Sequence, residues 1–229
     1  MKTIDICTID RIRTNTDGEG VTTLVVSMGC PLRCAYCINA LTWDGSFKNV
    51  KKYTADELYE ELKIDDLYFV ATGGGVVFGG GEPLLNYEFI AEFIDKYRDK
   101  GWKFGLETSL SVPRKNIESV MDRIDFFLVD TKDMNKERYE LYTKGDYDLF
   151  RSNLEYLLEK VGPEKITVRV PVIAGLHKSE EYKENALMLK DMGFTNINVF
   201  PYVNPAERKK VSEEAKRNCK DFIEKIKSK

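Results

Sequence analysis

The sequence predicts an α/β fold, an open (β/α)6 partial TIM barrel on a parallel sheet, as one domain over residues 1–229. Three observations predict it. Six short runs rich in β-branched residues alternate with amphipathic helical stretches, the signature of strand–helix units joined by right-handed crossovers. The connections are short, with no linker or low-complexity segment. Six units are too few to close an eightfold barrel.

Residues 21–28 read as a buried strand of Val and Thr, ended by Gly29-Cys30. Thr54 and Glu57 form a capping box that opens a helix through Glu61 and Leu62. The Gly-rich stretch 73–81 surrounds Val76-Val77-Phe78, a short strand with a loop at its end. Residues 86–100 carry Phe89, Ile90, Phe93, Ile94 and Tyr97 on one helical face, and Gly101 stops the helix. A strand at 102–107, a helix around 116–123 and a strand at 125–130 follow. Leu154, Leu157, Leu158 and Val161 share one helical stripe before a strand at 165–173. A helix at 179–192, a strand at 196–200 and a charged final helix at 212–227 complete the chain.

Composition excludes several function classes. Lys and Arg number 35 against 38 Asp and Glu, a net charge of −3, so a nucleic-acid footprint is not expected. No apolar run approaches the roughly 20 residues of a membrane span, and Met1-Lys-Thr-Ile-Asp-Ile has no apolar signal core. A cytoplasmic chain is expected, without a disulfide framework.

Of five cysteines, Cys30, Cys34 and Cys37 fall within eight residues. Structural zinc usually takes four protein ligands, whereas no fourth lies nearby and the chain has one histidine, His177. Three clustered thiolates fit better with a 4Fe–4S cluster that keeps one iron open to an external ligand. Cys7, among Ile4, Ile6 and Ile9, reads as a small buried apolar side chain. Cys219, on a helical face with Ala215, Phe222, Ile223 and Ile226, reads the same way. Cys30, residues 79–82, Glu107, Asp130 and Lys132 all follow strand ends, where parallel α/β folds place their chemistry.

Cys30-Pro-Leu-Arg-Cys34-Ala-Tyr-Cys37 resembles the CxxxCxφC loop of radical S-adenosylmethionine (SAM) enzymes. Asp17-Gly-Glu-Gly is similar to the Asp-Gly-Pro-Gly of the glycyl-radical-enzyme activases. Cys37-Ile-Asn39 with Thr42-Trp43-Asp44, the two glycine clusters of 73–83, Asp130-Thr-Lys132, and Arg169 with Pro171 extend the likeness over residues 17–202. The likeness is strongest to the pyruvate formate-lyase-activating type, in a short form without the eight-cysteine ferredoxin-like insert.

The resemblance implies that Cys30, Cys34 and Cys37 bind three irons of a 4Fe–4S cluster and that SAM chelates the fourth. It places Tyr36 beside the adenine and the Gly80-Gly81-Glu82 backbone at the SAM amino group. Glu107 and Lys132 would address the ammonium and carboxylate ends, Lys132 among the catalytic residues. Arg169 joins the cofactor-binding set, with a structural pairing to an acidic neighbour as its alternative. A monovalent cation near Glu107 and Asp130 is also implied. One-electron cleavage of SAM would yield a 5′-deoxyadenosyl radical that abstracts hydrogen from a glycine of a partner glycyl radical enzyme. Asp17 would contact that glycine loop, unless it forms a plain Asp-Gly turn. A flavodoxin- or ferredoxin-type reductant and a monomeric state complete the expectations.

The chain departs from the family pattern at several positions. Glu107-Thr-Ser-Leu stands for Asp-Thr-Asn-Gly, Ile38 for a His, Lys183 for a helix His, and Ile173-Ala-Gly175 for Val-Pro-Gly. His177 reads as a loop histidine. Two alternatives stay open: a radical SAM enzyme acting on a small molecule or peptide, and a non-catalytic metal-binding or electron-transfer protein.

Overall fold

The computed structural model describes residues 2–14, 16–43, 47–173 and 180–202. The helix expected at 212–227, Cys219, His177, Gly175 and Asp44 lie outside the described residues. The chain opens with an antiparallel pair, β1 (Thr3–Thr14) and β2 (Val21–Ser27), and β3 (Lys51–Thr54) lies antiparallel on the outer edge of β1. Helices α1 (Ala55–Leu62) and α2 (Asp66–Thr72) then lead to β4 (Gly75–Gly80). Next come α3 (Tyr87–Tyr97), β5 (Lys103–Thr108), α4 (Arg114–Glu118) and β6 (Phe126–Asp130). Two helices, α5 (Lys136–Thr143) and α6 (Tyr147–Val161), precede β7 (Ile166–Ile173), and α7 (Glu181–Asp191) precedes β8 (Asn196–Tyr202).

The sheet order is β3-β1-β2-β4-β5-β6-β7-β8, parallel from β2 to β8. The six parallel strands are the six predicted units, and β2 and β8 stand at opposite ends of the parallel run, so the barrel is open. Two elements were not predicted as strands, β1 and β3. The alternation Ile4, Ile6 in β1 is interrupted by register shifts after Ile6 and after Asp10, which break the period-two pattern. The helix expected at 116–123 is split into α4 and a 3-10 turn at Met121–Arg123.

Alternation along the strands sorts residues to two faces. Val25, Val76, Phe78, Phe104, Leu106, Phe127 and Val129 join the main core with α3 and α6, including Phe89, Phe93 and Leu154. Leu24, Val26 and Val77 form a small second cluster with Cys7, which is buried among apolar neighbours as expected. The capping box is present: the Thr54 hydroxyl accepts from the Glu57 amide while Glu57 accepts from the Thr54 amide. Among the described residues no helix is long and apolar enough to cross a membrane.

Candidate active site

The loop after β2 carries the three cysteines and is strapped down by main-chain bonds. Arg33 and Ala35 amides donate to the Thr143 and Tyr142 carbonyls (2.7 and 2.8 Å), fixing the loop to the end of α5. The Gly81 amide donates to Ser27 O (3.0 Å) and the Glu82 amide to Gly29 O (2.7 Å), fixing it to β4. A β-carbon on Gly81 would lie 2.1 Å from the Gly29 carbonyl oxygen, so only glycine permits this approach. The Asn39 amide group donates to Gly80 O (3.1 Å), a third tie.

A cavity of about 660 Å³ opens at the strand ends. Cys30, Cys34, Tyr36 and Cys37 line it from the loop, and Gly80 and Gly81 from β4. Glu107 enters from β5, Asp130 from the end of β6, Lys132 from the loop just after it, and Arg169 from β7. Residues scattered through the sequence thus meet in one space. Among the described residues no three His, Cys, Asp or Glu side chains converge on a single-ion position. A cluster does not require that convergence, because each thiolate meets a different iron.

Burial pushes the Cys30 thiol up to about 12 and raises Cys34 as well, while Lys132 opposes both shifts at Cys30 and Cys34 only in part. Any metal taken by these thiols would have to displace protons that burial holds more tightly than usual. Tyr36 is buried, and its hydroxyl has no hydrogen-bond partner among the described residues. A buried phenol without a partner at a cavity wall is a place for a polar ligand atom. Its ring stands edge-on to Tyr202, centroids 5.2 Å apart. The Tyr202 hydroxyl donates to the Tyr36 carbonyl (2.6 Å) and accepts from the Ile38 amide (3.1 Å), clasping the loop from β8.

Four charges run across the floor. Arg169 Nε donates to Asp130 Oδ1 (2.7 Å) and its Nη1 donates to Glu107. Lys132 Nζ donates to the second oxygen of Asp130 (2.9 Å). Burial pushes Asp130 up, but Arg169 and Lys132 outweigh it and hold the carboxyl well below the usual range. Burial pulls Lys132 down, and Asp130 outweighs it. At Glu107 burial wins and the carboxyl is raised despite Arg169. Lys132 sits at φ +50°, the left-handed region that non-glycine residues rarely adopt, at a position facing the cavity.

One expected site residue, Asp17, is placed differently, whereas Glu82 meets the loop through its main chain, the part the resemblance implied. The Glu82 carboxylate turns away from the cavity into the protein. It accepts from the Thr108 hydroxyl (2.7 Å), the Ser109 amide (2.9 Å) and hydroxyl (2.6 Å), and the Leu84 amide (3.2 Å), tying β4 to β5. Only its main chain lies near the loop. Asp17 is buried and ion-paired to Arg13, which also reaches Asp10 (2.5 Å), and it is Arg13 that lines the cavity. Ile38 lines the rim, exposed, while Lys183 pairs with Glu180 (3.0 Å) on α7, away from the cavity. Sequence reading missed Tyr202 and Arg13, since neither stands in a recognisable motif. Tyr202 does end the last parallel strand, which is a positional signal.

A family profile described as the Radical SAM superfamily matches residues 24–215. The chain belongs to the radical SAM superfamily. This radical SAM chain is 30% identical over 174 residues to the 4-hydroxyphenylacetate decarboxylase activating enzyme of Clostridioides difficile (strain 630), covering 76% of this chain and 55% of the relative. It is 31% identical over 191 residues to the pyruvate formate-lyase-activating enzyme of Clostridium pasteurianum, covering 81% and 77%. A solved domain of a pyruvate-formate lyase-activating enzyme from Bacteroides vulgatus ATCC 8482 superposes with a TM-score of 0.56 at 26% identity, covering 67% of this chain and 95% of that one. The chain spans about half the length of the first of these relatives. Family membership implies a 4Fe–4S cluster and SAM.

Proposed function

We propose that the chain holds a 4Fe–4S cluster on Cys30, Cys34 and Cys37 and binds SAM in the adjoining cavity. It then cleaves SAM reductively and activates a partner glycyl radical enzyme by taking a hydrogen atom from its glycine. The observation that carries this is the convergence on one cavity of three loop thiols, Lys132 and a Tyr36 hydroxyl without a partner among the described residues. When bound, the cluster supplies the electron that breaks a sulfonium bond, delivered by a flavodoxin- or ferredoxin-type reductant.

The chain's own residues bind, orient and shield. Gly80 and Gly81 expose main chain where a side chain would obstruct a ligand's amino group. Lys132, fixed by Asp130, presents a cation for a carboxylate. Tyr36 offers its ring edge and hydroxyl to an adenine. Glu107, ion-paired to Arg169, brings its carboxylate to the cavity wall where a ligand's ammonium would sit. Arg13, held by Asp17 and Asp10 on the β1 side, stands where a partner's glycine loop would enter. The similarity to activating enzymes favours the glycyl radical partner over a small molecule or free peptide.

Anaerobic reconstitution, dithionite reduction and SAM addition test the proposal. Deoxyadenosine should form, and Cys30→Ala, Cys34→Ala and Cys37→Ala should each lower its formation by about 10³-fold or more. Turnover that survives these substitutions overturns the proposal. A glycyl radical signal that develops only with a glycyl radical protein supports the activase assignment; deoxyadenosine driven by a small molecule alone rejects it.

A further inference from the structure

Glu107 and Asp130 bring two carboxylates together at the ends of adjacent strands, where the family resemblance calls for a monovalent metal ion. The residues present do not fit one. Arg169 Nε takes one Asp130 oxygen at 2.7 Å and Lys132 Nζ takes the other at 2.9 Å. The same guanidinium reaches Glu107 Oε1. The second Glu107 oxygen lies against Gly79, where a β-carbon would stand 2.7 Å from it. Two fixed cations and two carboxylates sum to zero, so a further cation would enter a balanced group beside two like charges.

The extra methylene of Glu107 explains the fit. Glutamate reaches across from β5 to the guanidinium on β7, whose strand is not its neighbour: β6 lies between them. An aspartate at 107 would be withdrawn from Arg169 and leave a gap lined by carboxylate oxygen. The planar guanidinium can bridge two carboxylates at once, which a lysine ammonium does less well.

We propose that Arg169 is a built-in replacement for the monovalent cation, bridging Glu107 and Asp130 so that SAM binding requires no alkali-metal ion. The inference rests on the SAM-binding function proposed above. Arg169 is then a positioning residue, acting on Lys132 through Asp130 and on Glu107 directly.

The test compares K⁺, Na⁺, Li⁺ and choline at constant ionic strength with the cluster-loaded chain, reading two quantities. One is the melting temperature without SAM; the other is SAM affinity. Wild type should melt within about 1 °C across the series. Its SAM affinity should vary less than about twofold. Glu107→Asp keeps every charge but withdraws the carboxylate, and it should gain dependence: a higher melting temperature in K⁺ or Na⁺ than in choline, and SAM binding about tenfold tighter there. Arg169→Met should behave likewise and serves if the first variant folds poorly. A wild type stabilised by alkali ions overturns the proposal, as does indifference of both variants. Absence of SAM binding in every salt would defeat the proposed function, while the melting series would still decide the role of Arg169.

Discussion

At the scale of the residue, the site is a set of charges that were legible as suspicious but not as partners. Glu107, Asp130 and Lys132 stand at strand ends in the sequence and Arg169 within the strand at 165–173, and all four line the cavity. Which carboxylate meets which cation depends on side-chain reach across a twisted sheet, and spacing along the chain carries no such information. Glu82 shows the same limit. Its motif implied a role for its main chain only, and nothing in the spacing foretold that its carboxylate would satisfy two hydroxyls and two amides inside the protein. The depressed Asp130 gives a pH prediction. A carboxyl whose folded value lies below its unfolded value stabilises the fold above about pH 4, and loses that contribution as pH falls through the folded value. Because 28% of its side chain is open, water screens the pairing, and Asp130→Asn should cost about 1–3 kcal/mol at pH 7. Urea unfolding of both proteins should show that gap shrinking below about pH 4. A gap that does not shrink at all between about pH 4 and pH 2 would disprove the electrostatic origin of the stabilisation.

At the scale of the element, local chemistry decided what could be read. The Thr54 capping box and the five apolar residues of α3 are signals within a few positions of each other, and both are realised. By contrast α2 buries only Phe69 and leaves Leu67, Tyr68 and Val70 exposed, so no stripe marks it as a helix. In α5 the hydrophobic pattern is equally weak, and its start is set by Asn135 accepting from the Arg138 amide. The join between β4 and the cysteine loop yields a second prediction. Gly81→Ala drives a β-carbon into the Gly29 main chain, which cannot rotate away as a side-chain tip could. The strain should cost about 1–3 kcal/mol, read as a lower melting temperature, and iron incorporation should fall with it. An alanine variant with unchanged stability and full iron content would show that the close approach is dispensable.

At the scale of the whole molecule, the order of strands followed from counting units, because each crossover helix forces the next strand to lie parallel. The antiparallel edge did not follow. β1 and β3 pair through main-chain bonds whose register is irregular, and two-residue periodicity is lost where the shifts occur. Stability should grade across this sheet. Strands β4, β5 and β6 have neighbours on both edges and buried residues on both faces, whereas β3 is a four-residue edge strand. Amide hydrogen exchange should therefore be slowest at Val76, Val77, Phe104, Leu106, Phe127 and Val129, reporting global opening, and faster along β3. Comparable protection in β3 and β5 would contradict this grading.

The Tyr202 clasp has a consequence in time as well as in space. Its hydroxyl joins residues 164 and 166 positions apart, Ile38 and Tyr36. During synthesis the cysteines emerge from the ribosome long before this tyrosine does. Until β8 is made and docked, the cysteine segment lacks this fastening. Any ligand the cysteines take up before then meets a segment whose shape is still to be fixed by β8.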